Sequence, residues 1–285
     1  MSDAELLSLS GALPVELSLS TAELEARRER ITGFIADLVE EADARGAVIG
    51  LSGGIDSTLT AHLAVEALGA DRVRGLVMPT EVNTDRNMSD AERVGEMLGI
   101  EYDVVDIQPV VDAFFDVFPG ANVEERSDDD LRTAAGNVRV RTRAVLNYFV
   151  ANAQNRLVLG TGNRSEALAG YYTKYGDQAV DCNPIGNLYK LQVRQLADHV
   201  GVPREFVEKP PSAEMWTGQT DEAEMGLTYD LLDAILALHI DGPLSESATA
   251  RSLDVDPEAV ERVEELYQAS EHKRHMPPAP EPLGH

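Results

Sequence analysis

Cysteine is almost missing from this 285-residue chain: there is one, Cys182. A single thiol excludes an internal disulfide and a cysteine-rich zinc site. Lysine is nearly as scarce. The 24 basic residues comprise 20 arginines and four lysines, Lys174, Lys190, Lys209 and Lys273. Fifty acids leave a net charge of −26. A duplex-binding protein needs clustered lysine and arginine, so nucleic acid is excluded as the main ligand. No apolar run approaches the roughly 20 residues that cross a bilayer. The start, MSDAELLSLSGALPVELSLS, lacks the basic n-region of a secretory signal. What is present is 43% hydrophobic residues, enough to bury a sizeable core. The chain is expected to be a soluble, cytoplasmic, globular protein.

A large negative charge opposes a compact state unless salt screens it. Heavy acid loading with scarce lysine resembles the proteins of salt-accumulating halophiles. The alternative is an acidic mesophilic protein that favours arginine. If surface lysine has been removed wholesale, the four survivors are expected to be held by chemistry.

Residues 1–20 carry Gly11 and Pro14 and read as a loose or partly docked arm. A helix pattern begins at Thr21, with Leu24, Ile31, Phe34, Ile35 and Leu38 at three- and four-residue spacings. Strands and helices then alternate. AVIGLS (47–52), RVRGLVMP (72–79), EYDVVDI (101–107) and RLVLG (156–160) read as strands. Helices fit 55–69, 89–99 with Ser89 as N-cap, about 109–118, and 131–154, with ANVEERSDDD (121–130) as a surface loop. After the fourth strand, 171–188 has little periodicity. Helices follow at about 190–200, 203–208, 221–239 and 256–272, and 277–285 is a Pro-rich tail. The alternation argues for an α/β fold: a doubly wound parallel sheet with a helical C-terminal part, one unit over 21–276. Ligands of such sheets bind at the carboxyl ends of the strands.

Ser52-Gly53-Gly54-Ile55-Asp56-Ser57 stands where the first strand meets a helix. Glycines there let the backbone approach an anion, free amides point outward, and the helix dipole adds positive potential. Neither a Walker A ending nor the G-x-G-x-x-G spacing is present, so the loop is of another kind. SGGIDS resembles the pyrophosphate loop of the N-type ATP pyrophosphatases, which split ATP to AMP and pyrophosphate while adenylating a substrate oxygen. The loop identifies the group and not its member.

The second half selects the member. GTGNRSE (160–166), TKYGD (173–177), DCNP (181–184), Lys190, KPPSAEMW (209–216), GQTDE (218–222) and HKR (272–274) occur in this order. Together they resemble the ammonia-dependent NAD synthetases over about 25–277. The stretch QAVDC after TKYGD departs from the small Gly-rich run expected there. All four lysines fall within or beside these motifs.

The resemblance implies Mg²⁺ held by Asp56 and Glu166, which follow two different strands. A helix-terminal acid interacting with the dipole is the alternative for either. It implies ATP contacts from Gly50, Leu51, Ser52, Gly53, Gly54, Ile55, Asp56, Ser57, Thr161, Lys190 and Ser212. It implies deamido-NAD contacts from Arg141, Lys174, Asp181, His272 and Lys273; Arg139 and Arg143 compete with Arg141 for that role. Asp177 reads as an acid that backs a residue contacting substrate or orders the loop. Trp216 is a lid contact or a loop anchor, and Cys182 carries no chemistry. The implied reaction amidates deamido-NAD through an acyl-adenylate; only about 46 residues, none of them cysteine, precede the first strand, so free ammonia or ammonia from a separate chain is implied as nitrogen source. A homodimer is implied. A non-enzymatic nucleotide-binding module is the rival reading, and ATP turnover separates the two.

Overall fold

The computed structural model describes residues 17–81, 85–117, 128–212 and 220–280. Of the N-terminal arm, 17–20 fall within that range. Leu17 is buried, and Leu19 N–H donates to Gln195 Oε1 at 2.7 Å, so this end is docked. Ser20 and Glu23 then close a capping box that starts α1 (Thr21–Glu41). Its buried stripe is Ile31, Ile35 and Val39, each one turn from the next.

Four strands form one parallel sheet: β1 (Ala47–Gly50), β2 (Val73–Val77), β3 (Glu101–Val104) and β4 (Leu157–Leu159), in the order β3-β2-β1-β4. Side chains of β1 alternate between two cores. Ala47 and Ile49 join the cluster built with α1, α2 (Ile55–Leu68) and α7 (Lys190–His199). Val48 joins the opposite cluster, with α4 (Gln108–Val117) and α5 (Asp128–Gln154). Both faces are covered, which is why AVIG is apolar throughout. Truncating the fully buried Ile49 to alanine is expected to cost about 2–5 kcal/mol.

The remaining elements are α3 (Asp85–Leu98), α6 (Arg164–Ala169), α8 (Arg204–Val207), α9 (Asp221–Met225), α10 (Tyr229–Ile235), α11 (Glu246–Leu253), α12 (Pro257–Ala269) and α13 (Glu271–Arg274). A π-helical turn, Leu236–Ile240, continues α10. The C-terminal helices pack on α6 around Tyr229, Leu232, Ile235, Val260 and Val263.

Several boundaries differ from the sequence reading. The helix expected from Ser89 starts at Asp85, so Ser89 is internal rather than an N-cap. Residues 128–130 of the expected 121–130 loop are helical; 121–127 lie outside the described residues. The expected 221–239 helix breaks at Gly226, whose φ of 79° is left-handed and terminates α9. The 256–272 helix breaks at Ser270.

Strand order reverses between β1 and β4, so the sheet has its switch point there. The loops 51–54 and 160–163 leave the two strands side by side at that point. Beyond β4 the chain returns along its free edge. Asp181 N–H donates to Val158 O at 2.9 Å, and Gly160 N–H donates to Cys182 O at 2.8 Å. An unpaired edge at the site is thereby blunted.

Candidate active site

The two switch-point loops are tied together by one side chain. Asn163 caps α6: its Oδ1 accepts from Glu166 N–H at 3.0 Å, and Glu166 Oε2 accepts from Asn163 N–H at 3.2 Å. Asn163 Nδ2 also donates to Asp56 Oδ1 at 2.9 Å, across 107 positions of sequence. One oxygen of each acid is therefore fixed by Asn163. The other two meet a buried cation. Lys190 Nζ lies 2.5 Å from Asp56 Oδ2 and 3.3 Å from Glu166 Oε1, with the Tyr229 ring 5.0 Å away. Glu166 thus closes the helix cap with one oxygen and turns the other to the Lys190 ammonium.

Lys190 is 2% exposed. Burial acts to lower its amine, but the Asp56 and Glu166 carboxylates overcome it and hold the amine above its ordinary value. Burial raises Glu166 above the ordinary carboxylate range; the Lys190 charge opposes this, and Asp56 and Asp221 add to it. Tyr229, buried beside the same acids, is held well above the ordinary phenol range. Its hydroxyl donates to Asp221 Oδ2 at 3.1 Å.

The glycine-rich loop is preorganised from within. Gly53 has φ 70°, where a side chain would be strained. Gly54 N–H donates to Ser52 Oγ at 3.2 Å, Ser57 Oγ donates to Gly54 O at 3.1 Å, and the two serine hydroxyls are 3.0 Å apart. No side chain caps α2 at Gly54, which leaves its first-turn amides available to an anion. Lys209 Nζ donates to Gly53 O at 3.0 Å and pairs with Asp90 at 2.8 Å, fastening the 209–212 segment to this loop.

A cavity of about 1020 Å³ opens over both loops. Of the residues expected to contact ATP, all line it except Gly53, whose carbonyl accepts from Lys209. Of the expected deamido-NAD contacts, Lys273 lines it. Arg141, Lys174, Asp181 and His272 are absent from its wall, and Arg143 is present. On α5 Arg143 shares the inner face with Val140, Ala144 and Asn147, while Arg141 is on the outer face. Asp181 accepts from Val158 N–H at 2.7 Å and from Tyr148 OH at 3.1 Å.

The HKR segment stitches the site's other wall. Arg274 donates to Leu168 O at 3.1 Å. Lys273 donates to Gly170 O at 2.7 Å and Tyr172 O at 2.9 Å. In return Lys174 Nζ donates to His272 O at 2.5 Å. Gly170 is required where this seam closes, because a Cβ there would meet Ser270 Cβ at 1.9 Å. Asp177 orders the same loop by accepting from Thr173 N–H at 2.7 Å. Lys190, Lys209 and Lys273 line the cavity, and Lys174 is bonded beside it to His272 O.

Several residues that build the site were not legible as site residues. The Ser165 hydroxyl donates to Asp233 Oδ1 and accepts from Lys190 N–H at 2.9 Å. Asp233 Oδ2 accepts from Leu191 N–H at 2.8 Å. Tyr171 OH donates to Glu224 at 2.7 Å. Ser165 lies within GTGNRSE, but these contacts span tens of residues, and no local motif marks Asp233 or Glu224. Cys182 is half-buried; burial, then Asp181, pushes its thiol up to about 12, which disfavours the thiolate. Trp216, Gly218 and Gln219 lie outside the described residues. Among the described residues no three His, Cys, Asp or Glu side chains form a metal cage.

A parallel sheet with an anion-binding glycine loop, paired acids and a buried lysine at its switch point defines a nucleotide-handling α/β enzyme of the pyrophosphate-loop class. Within that class the NAD synthase family matches residues 27–277, and the chain belongs to it. It is 62% identical over 267 residues to the NH(3)-dependent NAD(+) synthetase of Halobacterium salinarum, covering 94% of this chain and 97% of the relative. The solved NMN synthetase of Francisella tularensis has a TM-score of 0.76 at 35% identity, covering 92% of this chain and 99% of that one. The NH3-dependent NAD synthetase of Campylobacter jejuni has a TM-score of 0.73 at 32% identity, covering 90% and 99%.

Proposed function

We propose that this chain amidates deamido-NAD with ammonia at the expense of ATP, through an acyl-adenylate, giving NAD, AMP and pyrophosphate. The observation that carries the reading is the convergence of Asp56, Glu166 and Lys190 at the mouth of the SGGIDS loop. The identity to the Halobacterium salinarum protein supports it and supports a halophilic source.

In this reading the SGGIDS amides and the Ser52 and Ser57 hydroxyls hold the triphosphate, with Thr161 and Ser212 completing the ATP wall. Lys190 meets a phosphate oxygen as a point charge. The acyl substrate lies toward Lys273 and the Tyr171–Asp177 wall. Its carboxylate oxygen attacks the α-phosphorus and pyrophosphate leaves. Ammonia then attacks the activated carbonyl, loses a proton, and AMP leaves. The protein contributes positioning and charge stabilisation, and no protein nucleophile is required.

Asp56 and Glu166 fit a magnesium ion. Each keeps one carboxylate oxygen free of Asn163, both oxygens are turned to one cation, Lys190, and substrate oxygens are the usual further ligands. Bound there, Mg²⁺ would neutralise charge on the departing pyrophosphate.

Self-association is part of the proposal. Val110, Phe114 and Val117 of α4 and Val145 and Phe149 of α5 are exposed, and Arg141 continues the α5 stripe one turn earlier. An apolar face of this kind supports a homodimer. Arg141 is absent from the wall of its own cavity and donates to Lys174 O at 3.1 and 3.3 Å; in a homodimer it reaches deamido-NAD across the subunit boundary once that contact is released. Native mass measurement of wild type and Phe149→Asp tests this; a monomeric wild type refutes it. ATP as co-substrate supports a cytoplasmic location.

Incubation with ATP, Mg²⁺, ammonium and deamido-NAD should yield NAD. A parallel arm offers nicotinate mononucleotide, the acid corresponding to NMN, because one solved relative is an NMN synthetase. Amidation in that arm alone would keep the adenylating class and reject deamido-NAD as the substrate.

A further inference from the structure

Each of the two site acids spends one oxygen on Asn163. Asp56 Oδ1 accepts from the amide side chain at 2.9 Å, and Glu166 Oε2 accepts from the backbone N–H at 3.2 Å. The oxygens that remain, Asp56 Oδ2 and Glu166 Oε1, both face Lys190 Nζ, at 2.5 and 3.3 Å. The lysine is sealed in place. It is 2% exposed, its own backbone N–H is held by Ser165, and the Tyr229 ring lies 5.0 Å from its ammonium. The two acids thus present a divalent cation with the same two oxygens that already share a monovalent one.

A magnesium ion demands oxygens at about 2.0–2.1 Å and dehydrates reluctantly. An ammonium 2.5 Å from Asp56 Oδ2 screens the charge that would repay that dehydration. Holding Mg²⁺ and the Lys190 ammonium on one oxygen pair would also set like charges against each other in a buried site.

We propose that the Lys190 ammonium and a divalent cation compete for the position between Asp56 and Glu166, making Lys190 a built-in guard of the metal site. Metal entry draws Lys190 off the acids, and a phosphate oxygen of ATP is the group that receives it. The inference rests on the proposed assignment of Asp56 and Glu166 to the metal and extends it. By linkage, ATP and metal then favour each other beyond their direct contact, because each removes the lysine from the other's competitor. A site that holds its metal poorly until the nucleotide arrives is the consequence.

The test uses metal alone, with no deamido-NAD or ammonia, so its result stands apart from whether NAD is formed. Mn²⁺ binding is measured by electron paramagnetic resonance in molar KCl, without nucleotide. Lys190→Met should bind one Mn²⁺ at least tenfold more tightly than wild type, while Lys190→Arg, which keeps the charge, should not. Adding Glu166→Gln to Lys190→Met should abolish the gain. Equal or weaker Mn²⁺ binding by a Lys190→Met protein with wild-type circular dichroism overturns the proposal. Should Lys190→Met fail to fold, the wild-type chain decides. Its four lysines, labelled with ¹⁵N at the amine, give few enough signals to resolve. Saturating Mg²⁺ should shift the Lys190 signal and leave that of Lys174, bonded to His272 O, in place. A Lys190 signal unmoved by Mg²⁺ overturns the proposal in the same way.

Discussion

Asp233 and Ser165, 68 positions apart, are hydrogen-bonded side chain to side chain, and together they cap the first two amides of α7. Ser165 precedes Glu166 in α6, and the capped amides belong to Lys190 and Leu191. The pair therefore sets the spacing between two of the groups that converge at the site. Capping from α6 and α10 replaces a local N-cap side chain, since Tyr189 provides no side-chain hydrogen bond to α7.

Asp233→Ala should cost about 1–3 kcal/mol of stability by leaving Leu191 N–H and the Ser165 hydroxyl unpartnered. It should also raise the ATP requirement by loosening Lys190. Burial pushes Asp233 up to about 6, above the usual carboxylate value of about 3.9. The folded state keeps a proton that the unfolded chain has released, so this stabilisation is full below about pH 4 and is lost as pH rises through about 6. Asp233→Asn should remove that part of the pH slope. Denaturant titrations of wild type and variant from pH 4 to 7 give the difference; parallel slopes would refute the assignment.

Reading the sequence alone located what is contiguous. AVIG is apolar because both faces of the sheet are covered, as is VRGLV apart from Arg74, which pairs with Glu101 and Asp103 of the next strand, and that pattern is visible in one dimension. SGGIDS and GTGNRSE are legible because each follows a strand and opens a helix. Helices α6 and α11 were not assigned, having six and eight residues and so too few turns to show a 3.6-residue period. Gly226 broke an expected long helix because a lone glycine does not announce its φ. Ser165, Asp233, Tyr229 and Asn163 act through partners distant in sequence, which spacing cannot show. Arg141 was preferred over Arg143 from the family motif, yet Arg143 is the one in the cavity wall. The helix period separates the two faces of α5 but does not say which faces the site.

If Asp56 and Glu166 hold the metal between them, Asp56→Asn and Glu166→Gln should each reduce adenylation severely while the fold persists. Asp56→Asn keeps the shape but disturbs the Asn163 contact, so circular dichroism must accompany the rates. Wild-type rates at saturating Mg²⁺ in both variants would end the metal assignment.

With a net charge of −26, self-repulsion should weaken the fold in dilute buffer. Melting temperature is expected to rise steeply from low salt to molar KCl. Ion pairs such as Arg28–Glu66 and Arg93–Glu205 are surface contacts that salt weakens, so they predict the opposite sign. The direction of the shift therefore decides which effect wins. A melting temperature independent of KCl would leave the merely acidic reading of the composition.

The two half-reactions separate when ammonia is withheld. Adenylation needs ATP, Mg²⁺ and deamido-NAD, so labelled pyrophosphate should exchange into ATP only when deamido-NAD is present. Lys273 braces Gly170 O and Tyr172 O on the acyl-substrate wall, whereas Lys190 stands over the glycine loop with Asp56. Lys273→Ala should raise the deamido-NAD requirement more than the ATP requirement, and Lys190→Ala should do the reverse. Each loss should be about 1–3 kcal/mol, as for a hydrogen bond to a charged group. Raised requirements for both substrates in equal measure would show that the walls do not act separately. Exchange without deamido-NAD would contradict the acyl-adenylate scheme. Exchange that depends on a different carboxylate would retain the loop chemistry and replace the substrate.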